Sequence, residues 1–413
     1  MKNLTTLMSG TVIAQLLAFL LMPILTRLYT QEAFGLLTTF TAMVSLISSY
    51  ATLKYDTAIV LPKKERNAYA LLKLSNYIAV ILICLSCAFL YIPIPYFNEY
   101  AGLQLFIAVG AAFSVNYNIS TLWNIRKKEF KITTIAQIMQ STGVFIFQLG
   151  FYFLFELKGL IIGNVFGVLF SGFYLIYIRK NLVDKSLINS ITKDDYKKVA
   201  KRYIDFPKYF VWSNIILNLS TNLPVLLFVK FIPLTLLGLY GVALRLINQP
   251  VALIANNLKD ILLSYMADRK NKLQPILNWY LKNIGLLFLL SLIGSLVLIW
   301  KGEMLVTLFL GKDWTRSGTI IKCLIPIFIG SMISTPGTAA VRVFEMQKYT
   351  LVYSIVSLAL KVATLTLLFF MKVEFELLIL IYSIVTLLIV VANNFFIIFK
   401  IKHYENSLII SKT

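Results

Sequence analysis

Between Gly241 and Ala267 the chain reads "GVALRLINQPVALIANNLKDILLSYMA", an apolar run broken by two cations, Arg245 and Lys259, with amides between them. At about 100° per residue, Arg245, Asn248, Gln249, Ala252, Asn256 and Lys259 fall on one helix face roughly 100° wide. The two cations then stand about 21 Å apart along it. Pro250 points away from this face, where a membrane helix tolerates a kink. Such a stripe has two chemical uses. Amides and small residues join helices within lipid, whereas an ammonium attracts anions and a guanidinium grips phosphate oxygens in pairs. Arg245 favours the second use, because a cation near mid-membrane costs about 2.5–3.5 kcal/mol and normally faces a wet cavity or a partner. Lys259 lies nearer the helix end, where it can join the anion site, snorkel or pair with Asp260.

Other segments repeat the pattern. Thr41, Ser45, Ser48 and Thr52 form a hydroxyl stripe, and Asn214, Asn218 and Thr221 form another polar face. Gln15 lies beside Ala18 and Met22, and Ser354, Ser357, Lys361 and Thr364 share a face with Lys361 near its middle. Lys54 falls off the hydroxyl stripe, which places it at the mouth of any cavity the stripe lines. Hydroxyl stripes alone serve packing more often than function; embedded cations shift the balance. The apolar segments hold almost no carboxylate apart from Asp260, beside Lys259. Proton- or sodium-driven exporters of cationic cargo need intramembrane acids, so the polarity here is the reverse and selects anions. Metal, cofactor and thiol chemistry find little support. Cys84 and Cys87 sit in the apolar run "AVILICLSCAFLYI" and read as packing, and His403 stands alone.

The elements that carry these residues are membrane helices. The 413-residue chain is 59% hydrophobic and only 14% charged, and its mean hydropathy is +0.80. At about 20 apolar residues per crossing, spans fall near 4–25, 34–53, 74–94, 101–122, 132–152 and 159–178. A second set falls near 209–229, 236–264, 283–300, 319–340, 349–371 and 377–399. The N-terminal stretch reads as the first span, not as a cleaved signal. With a cytoplasmic N-terminus, 28 of the 39 Lys and Arg fall on the inside and 7 on the outside. That asymmetry supports twelve spans with both termini cytoplasmic. It also accounts for the net charge of +21 without nucleic acid. The expected architecture is an all-α integral membrane bundle: a six-helix half at 1–178, a basic cytoplasmic linker at 179–208, and a second half with tail at 209–413. Pro23, Arg27, Gly35 and Lys54 recur as Pro224, Lys230, Gly238 and Lys259, the mark of a parallel repeat with a cavity between halves.

Three stretches carry a family resemblance: "LMPILTRLYTQEAFGLLTTFTAMVSLISS" (21–49), "LKYDTAIVLPKKERNA" (53–68) and "LFLGKDWTRSGTIIKCLIPIFIGSMISTP" (308–336). They resemble the Wzx-type polysaccharide flippases, which move O-antigen or capsule repeat units, of the multidrug/oligosaccharidyl-lipid/polysaccharide exporter superfamily. The resemblance implies transfer of an undecaprenyl-pyrophosphate-linked glycan across the bacterial inner membrane by alternating access, with no enzymatic step. It implies glycosyltransferases and a polysaccharide polymerase as partners, with membrane lipid around the bundle. Carried onto this chain, it makes Arg27 of "LTRLY", Lys54 of "LKYD" and Arg245 of "VALRL" substrate contacts, and Lys259 a weaker one. The substrate-binding candidates from both lines of reading are Arg27, Lys54, Asn218, Arg245, Asn248, Asn256, Lys259 and Lys361. Relatives of this type carry Arg-Tyr-Glu at the positions of Lys54-Tyr55-Asp56, and lysine cannot grip phosphate bidentately. Two other readings remain: a flippase for another lipid-linked precursor, of the peptidoglycan type, and a membrane glycan polymerase or ligase. The latter needs a sizeable outside loop with an acid/base pair. The longest here, "KGEMLVTLFLGKDWTRSG" (301–318), offers Glu303 and Asp313 with no evident basic partner or nucleophile.

Overall fold

The computed structural model describes residues 2–91, 102–182, 191–344 and 346–410, and no strand occurs among them. The helices are α1 (Lys2–Leu20), α2 (Met22–Leu28), α3 (Gln31–Tyr50), α4 (Glu65–Leu90), α5 (Gln104–Lys127), α6 (Phe130–Phe155) and α7 (Gly159–Leu182). They continue as α8 (Lys193–Arg202), α9 (Val211–Phe231), α10 (Leu234–Asn271), α11 (Leu277–Leu310), α12 (Thr315–Val343), α13 (Gln347–Phe370) and α14 (Phe375–Ile410). Ten helical stretches among the described residues are long and apolar enough to cross a membrane. One of them, Phe130–Arg179, comprises both α6 and α7; resolved into the two, and taken with the shorter apolar helix Val12–Leu28, it gives the twelve spans expected. Large apolar side chains on the outer faces, such as Phe153, Trp300 and Phe370, are about four-fifths exposed, as hydrocarbon-facing residues of a multi-pass membrane protein are.

Local sequence sets the helix ends. Thr30 caps α3, its hydroxyl accepting from the Ala33 amide at 3.4 Å. Thr192 and Asp195 form a reciprocal capping box on α8. Gly311, at φ +108°, stops α11, a conformation that side-chain-bearing residues rarely adopt.

The segment 301–318 differs from its sequence reading. It is not a long loop, because α11 continues to Leu310 and α12 begins at Thr315 after a single 3-10 turn, Lys312–Trp314. The run "MLVTLFL" is apolar enough to keep the helix going until Gly311. The longer helix also gives Glu303 a partner that the sequence concealed. Lys322 Nζ donates to Glu303 Oε1 at 2.7 Å and Thr319 donates to the same oxygen at 3.3 Å. Just after the same turn, Arg316 pairs with Glu376 at the start of α14 at 2.7 Å.

The chain forms two compact units, Met1–Gly238 and Leu239–Thr413. In the first, α6 and α7 form an antiparallel hairpin joined at Glu156–Lys158. Gly159, Gly163 and Gly167 on α7 lie directly on the α6 backbone, where a Cβ would approach Phe151, Gln148 and Val144 within about 2.4–2.6 Å. Small residues spaced by four permit this close approach in lipid. Helix α5 packs on α4 and α7 around the fully buried Trp123, and α9 packs along α3. At the start of α10, Gly238 meets Gly35 of α3; a Cβ on Gly238 would fall 1.8 Å from the Gln31 carbonyl oxygen. Two of the positions that recur between the sequence halves therefore touch each other. In the second unit, α12 packs between α11 and α14. Tyr280 donates to Asn394 Oδ1 at 2.9 Å, and Asn394 Nδ2 donates to the Ile333 carbonyl at 3.3 Å, within a core that includes Met266, Ile276 and Ile397.

Candidate functional site

Within the first unit, five helices enclose a cavity of about 650 Å³, a size typical of ligand sites. On α3, Thr41, Ser45, Ser48 and Ser49 line it. On α9, Asn214, Asn218, Thr221 and Asn222 do. Periodicity read from the sequence places both stripes correctly except for Thr52. Helix α3 ends at Tyr50, so the face it defines ends there too, and Thr52 instead donates to Asp56 Oδ1 at 2.7 Å. The stripes are joined by Asn218, whose amide donates to the Ser45 hydroxyl at 2.7 Å and to its carbonyl at 3.3 Å. Asn222 donates in turn to Asn218 Oδ1 at 3.0 Å. The Ser48 hydroxyl is buried with no partner among the described residues. Ser114 and Asn118 of α5, Gln140 of α6 and Asn164 of α7 complete the polar wall. Sequence reading singled out none of these last four: Ser114 and Asn118 stand one turn apart on α5, and α6 and α7 add one polar lining residue each.

Lys54 also lines the cavity, and among the described lining residues it is the one charged side chain; none is a carboxylate. A turn of uncommon geometry brings it there. Leu53 and Lys54 have φ of 47° and 59°, a left-handed pair of non-glycine residues. Such conformations are costly and concentrate at functional sites. Side chains around the turn hold it. The Lys54 amide donates to Thr52 Oγ1 at 3.2 Å, and Thr57 Oγ1 donates to the Lys54 carbonyl at 2.6 Å. The Tyr55 hydroxyl reaches the Ala200 carbonyl of α8 at 3.2 Å. Sequence reading puts Lys54 at the mouth of the cavity, and the turn sets it among the lining residues.

Lys54 and Asn218 are thus brought together. Arg27 is not among the lining residues; it is exposed in the last turn of α2. Arg245, Asn248, Lys259 and Lys361 belong to the second unit. On α10, Arg245 is half-buried and Asn248 exposed, and the Oε1 of Gln249, next after Asn248, is buried with no partner among the described residues. No carboxylate among the described residues pairs with Arg245. The side chains of Asn256 and Asp260 lie outside the described residues. Lys259 and Lys361 are half-buried, and Ser354 and Ser357, two turns and one turn before Lys361, are buried.

The model of a family described as polysaccharide biosynthesis protein matches residues 24–319 of this chain. The chain belongs to that family. The match spans every residue lining the cavity of this polysaccharide biosynthesis protein, and also Arg27, Arg245 and Lys259, but not Lys361. None of the curated proteins matches. Solved structures share the fold at low identity. An inward-facing multidrug resistance MATE family transporter of the MOP superfamily superposes with a TM-score of 0.72 at 12% identity, over 98% of this chain and 96% of that one. The lipid II flippase MurJ, in an inward closed conformation, gives 0.63 at 15% identity, over 99% and 89%. A MOP superfamily transporter from Pyrococcus furiosus, noted for the reverse polarity of its binding pocket, gives 0.60 at 13% identity, over 98% and 96%. The fold is therefore that of the MOP-superfamily transporters, in a chain of polysaccharide biosynthesis.

Proposed function

We propose that this protein is a flippase that moves an undecaprenyl-pyrophosphate-linked oligosaccharide repeat unit from the cytoplasmic to the periplasmic leaflet of the bacterial inner membrane. One observation carries the reading: the cavity wall consists of amides, hydroxyls and Lys54, with no carboxylate among the described residues. Amides and hydroxyls exchange hydrogen bonds with sugar hydroxyls, and a lysine in a low-dielectric recess holds phosphate charge. A cationic drug would find no counter-charge there. The lipid II flippase with the same fold supports this reading, because it too is a flippase.

In this mechanism the glycan enters from the cytoplasmic side while the isoprenoid chain stays in lipid. Arg27, Lys54, Arg245 and Lys259 offset the cost of dehydrating the pyrophosphate. Asn218, Asn248, Asn256 and Lys361 contact the headgroup. Rocking of residues 1–178 against 209–413, with 179–208 as the cytoplasmic connection, then presents the headgroup to the periplasm. Chemistry on the glycan is left to the glycosyltransferases and polymerase acting before and after. The test uses a strain lacking this protein and the polymerase. Restoring the wild-type chain is expected to make lipid-linked units reachable by a membrane-impermeant glycan label, and Arg245→Ala is expected not to, although it accumulates as folded protein. Normal labelling with Arg245→Ala removes that residue from the site, and absence of labelling with the wild type overturns the reading.

A further inference from the structure

The polar cavity has an apolar counterpart on the other side of α3. Ser45 and Ser48 face the cavity; Met43, Ile47 and Tyr50 line a groove of about 450 Å³. Residues two apart on a helix point about 200° away from each other, so α3 is a wall with a polar side and an apolar side. Helix α9 divides along its length instead, since Asn218 and Asn222 line the cavity and Leu226, one turn on along the same face, lines the groove. The remaining wall is α4, where Leu85 and Phe89 line the groove and are more than half exposed, leaving it open to hydrocarbon. The groove's polar atoms satisfy each other. The Tyr50 and Ser86 hydroxyls share a hydrogen bond of 2.7 Å, and Ser86 donates to the Leu82 carbonyl at 2.7 Å. No polar ligand group is needed to complete them.

We propose that this groove holds the head-proximal part of the cargo's isoprenoid chain, the rest staying in lipid, while its headgroup occupies the cavity, an assignment that rests on the flippase reading. The chain itself joins the two compartments. Tyr50, the last residue of α3, lines the groove, and Lys54, past the turn that ends the helix, lines the cavity. A molecule with a sugar headgroup, a diphosphate and a long hydrocarbon chain has the same order of parts. Its diphosphate would cross at the end of α3, where Lys54 meets it. The groove therefore selects the lipid by its hydrocarbon, separately from recognition of the sugar.

The test places a photoreactive benzoylphenylalanine at Leu85, or at Phe153 as a hydrocarbon-facing control, in the full-length protein in liposomes. The probe is radiolabelled undecaprenyl diphosphate bearing a disaccharide. Labelling at Leu85 is expected to exceed that at Phe153 at least fivefold, and to be competed by unlabelled probe but not by excess phosphatidylglycerol. Equal labelling, or competition by phosphatidylglycerol, assigns the groove to bulk lipid and overturns the proposal. In parallel, Leu82→Trp fills the groove and is expected to reduce transfer of the probe at least fivefold, without changing binding of a short-chain, water-soluble diphosphate disaccharide. Unchanged transfer also overturns the groove. If transfer is absent even for the wild type, the flippase reading fails instead; if Asn218→Asp blocks transfer while Leu82→Trp does not, only the groove assignment fails.

Discussion

Replacing Lys54 by alanine removes the one charge among the described residues of the cavity wall. A hydrogen bond to a charged group is worth about 1.5–3 kcal/mol, so transfer of the lipid-linked glycan is expected to fall roughly ten- to hundred-fold. The amount of folded protein in the membrane should not change, because Lys54 holds the turn through its backbone and not its ammonium. A companion substitution inverts the polarity. Asn218→Asp keeps the side-chain shape but sets a carboxylate in an acid-free cavity, and also replaces the donor to Ser45 with an acceptor. Transfer is expected to fall further with Asn218→Asp than with Asn218→Ala in the same assay; the reverse order would mean that Asn218 only ties α3 to α9. At this scale the sequence was informative where polar residues recur at helical spacing, as in Thr41, Ser45, Ser48, Asn214 and Asn218. It was silent on Ser114, Asn118, Gln140 and Asn164, which converge only when three helices fold together. The left-handed turn that carries Lys54 was likewise not legible, since it has no periodic signature.

Helices in this protein meet through contacts that admit little change. A methyl group on Gly238 would fall 1.8 Å from the Gln31 carbonyl oxygen, and one on Gly35 would fall 2.2 Å from that of Leu234. Backbone must shift to admit either, and overpacking of this kind costs about 1–3 kcal/mol. Gly238→Ala is expected to lower the thermal midpoint in detergent, whereas Gly285→Ala, with open space at its Cβ, should leave it unchanged. Helix α8 is held differently. Its Val199 is buried, Tyr196 stacks edge-on against Tyr77 of α4, and Arg66 of α4 donates to Asp195 at 2.6 Å. The Thr192 backbone amide and then Arg66 hold the Asp195 carboxyl down at about 2. An unfolded aspartate titrates near pH 3.9. The docking therefore gains its full contribution above about pH 4 and loses it as the pH falls through about 2. Hydrogen exchange across 193–202 is expected to stay flat from pH 7 to 4 once corrected for intrinsic rates, and Asp195→Asn should raise it at neutral pH. An unchanged rate in Asp195→Asn would mean that the capping box and Tyr196 suffice.

Over the whole chain, the distribution of cations made the helical architecture legible before any coordinates, because insertion into a membrane constrains sequence more tightly than packing does. Helix lengths were less legible. The apolar continuation of α11 through "MLVTLFL" read as part of an outside loop, and its pairing of Glu303 with Lys322 depends on a turn marked by Gly311 and Trp314. A cysteine at Thr192 is expected to react only with reagents that reach the cytoplasm, and one at Asp313 with impermeant reagents added outside. The opposite pattern would invert the topology. The glycine-spaced hairpin of α6 and α7 bears on how the chain is made. Gln148 of α6 is buried and donates to the Leu160 carbonyl of α7 at 2.9 Å, across a turn of three residues. Until α7 has been synthesised, that amide has no partner, and hydrocarbon is a poor place to wait for one. The two helices are therefore expected to leave the translocation channel as a pair, so a nascent chain truncated just after Phe155 should remain extractable when one carried through Leu182 does not.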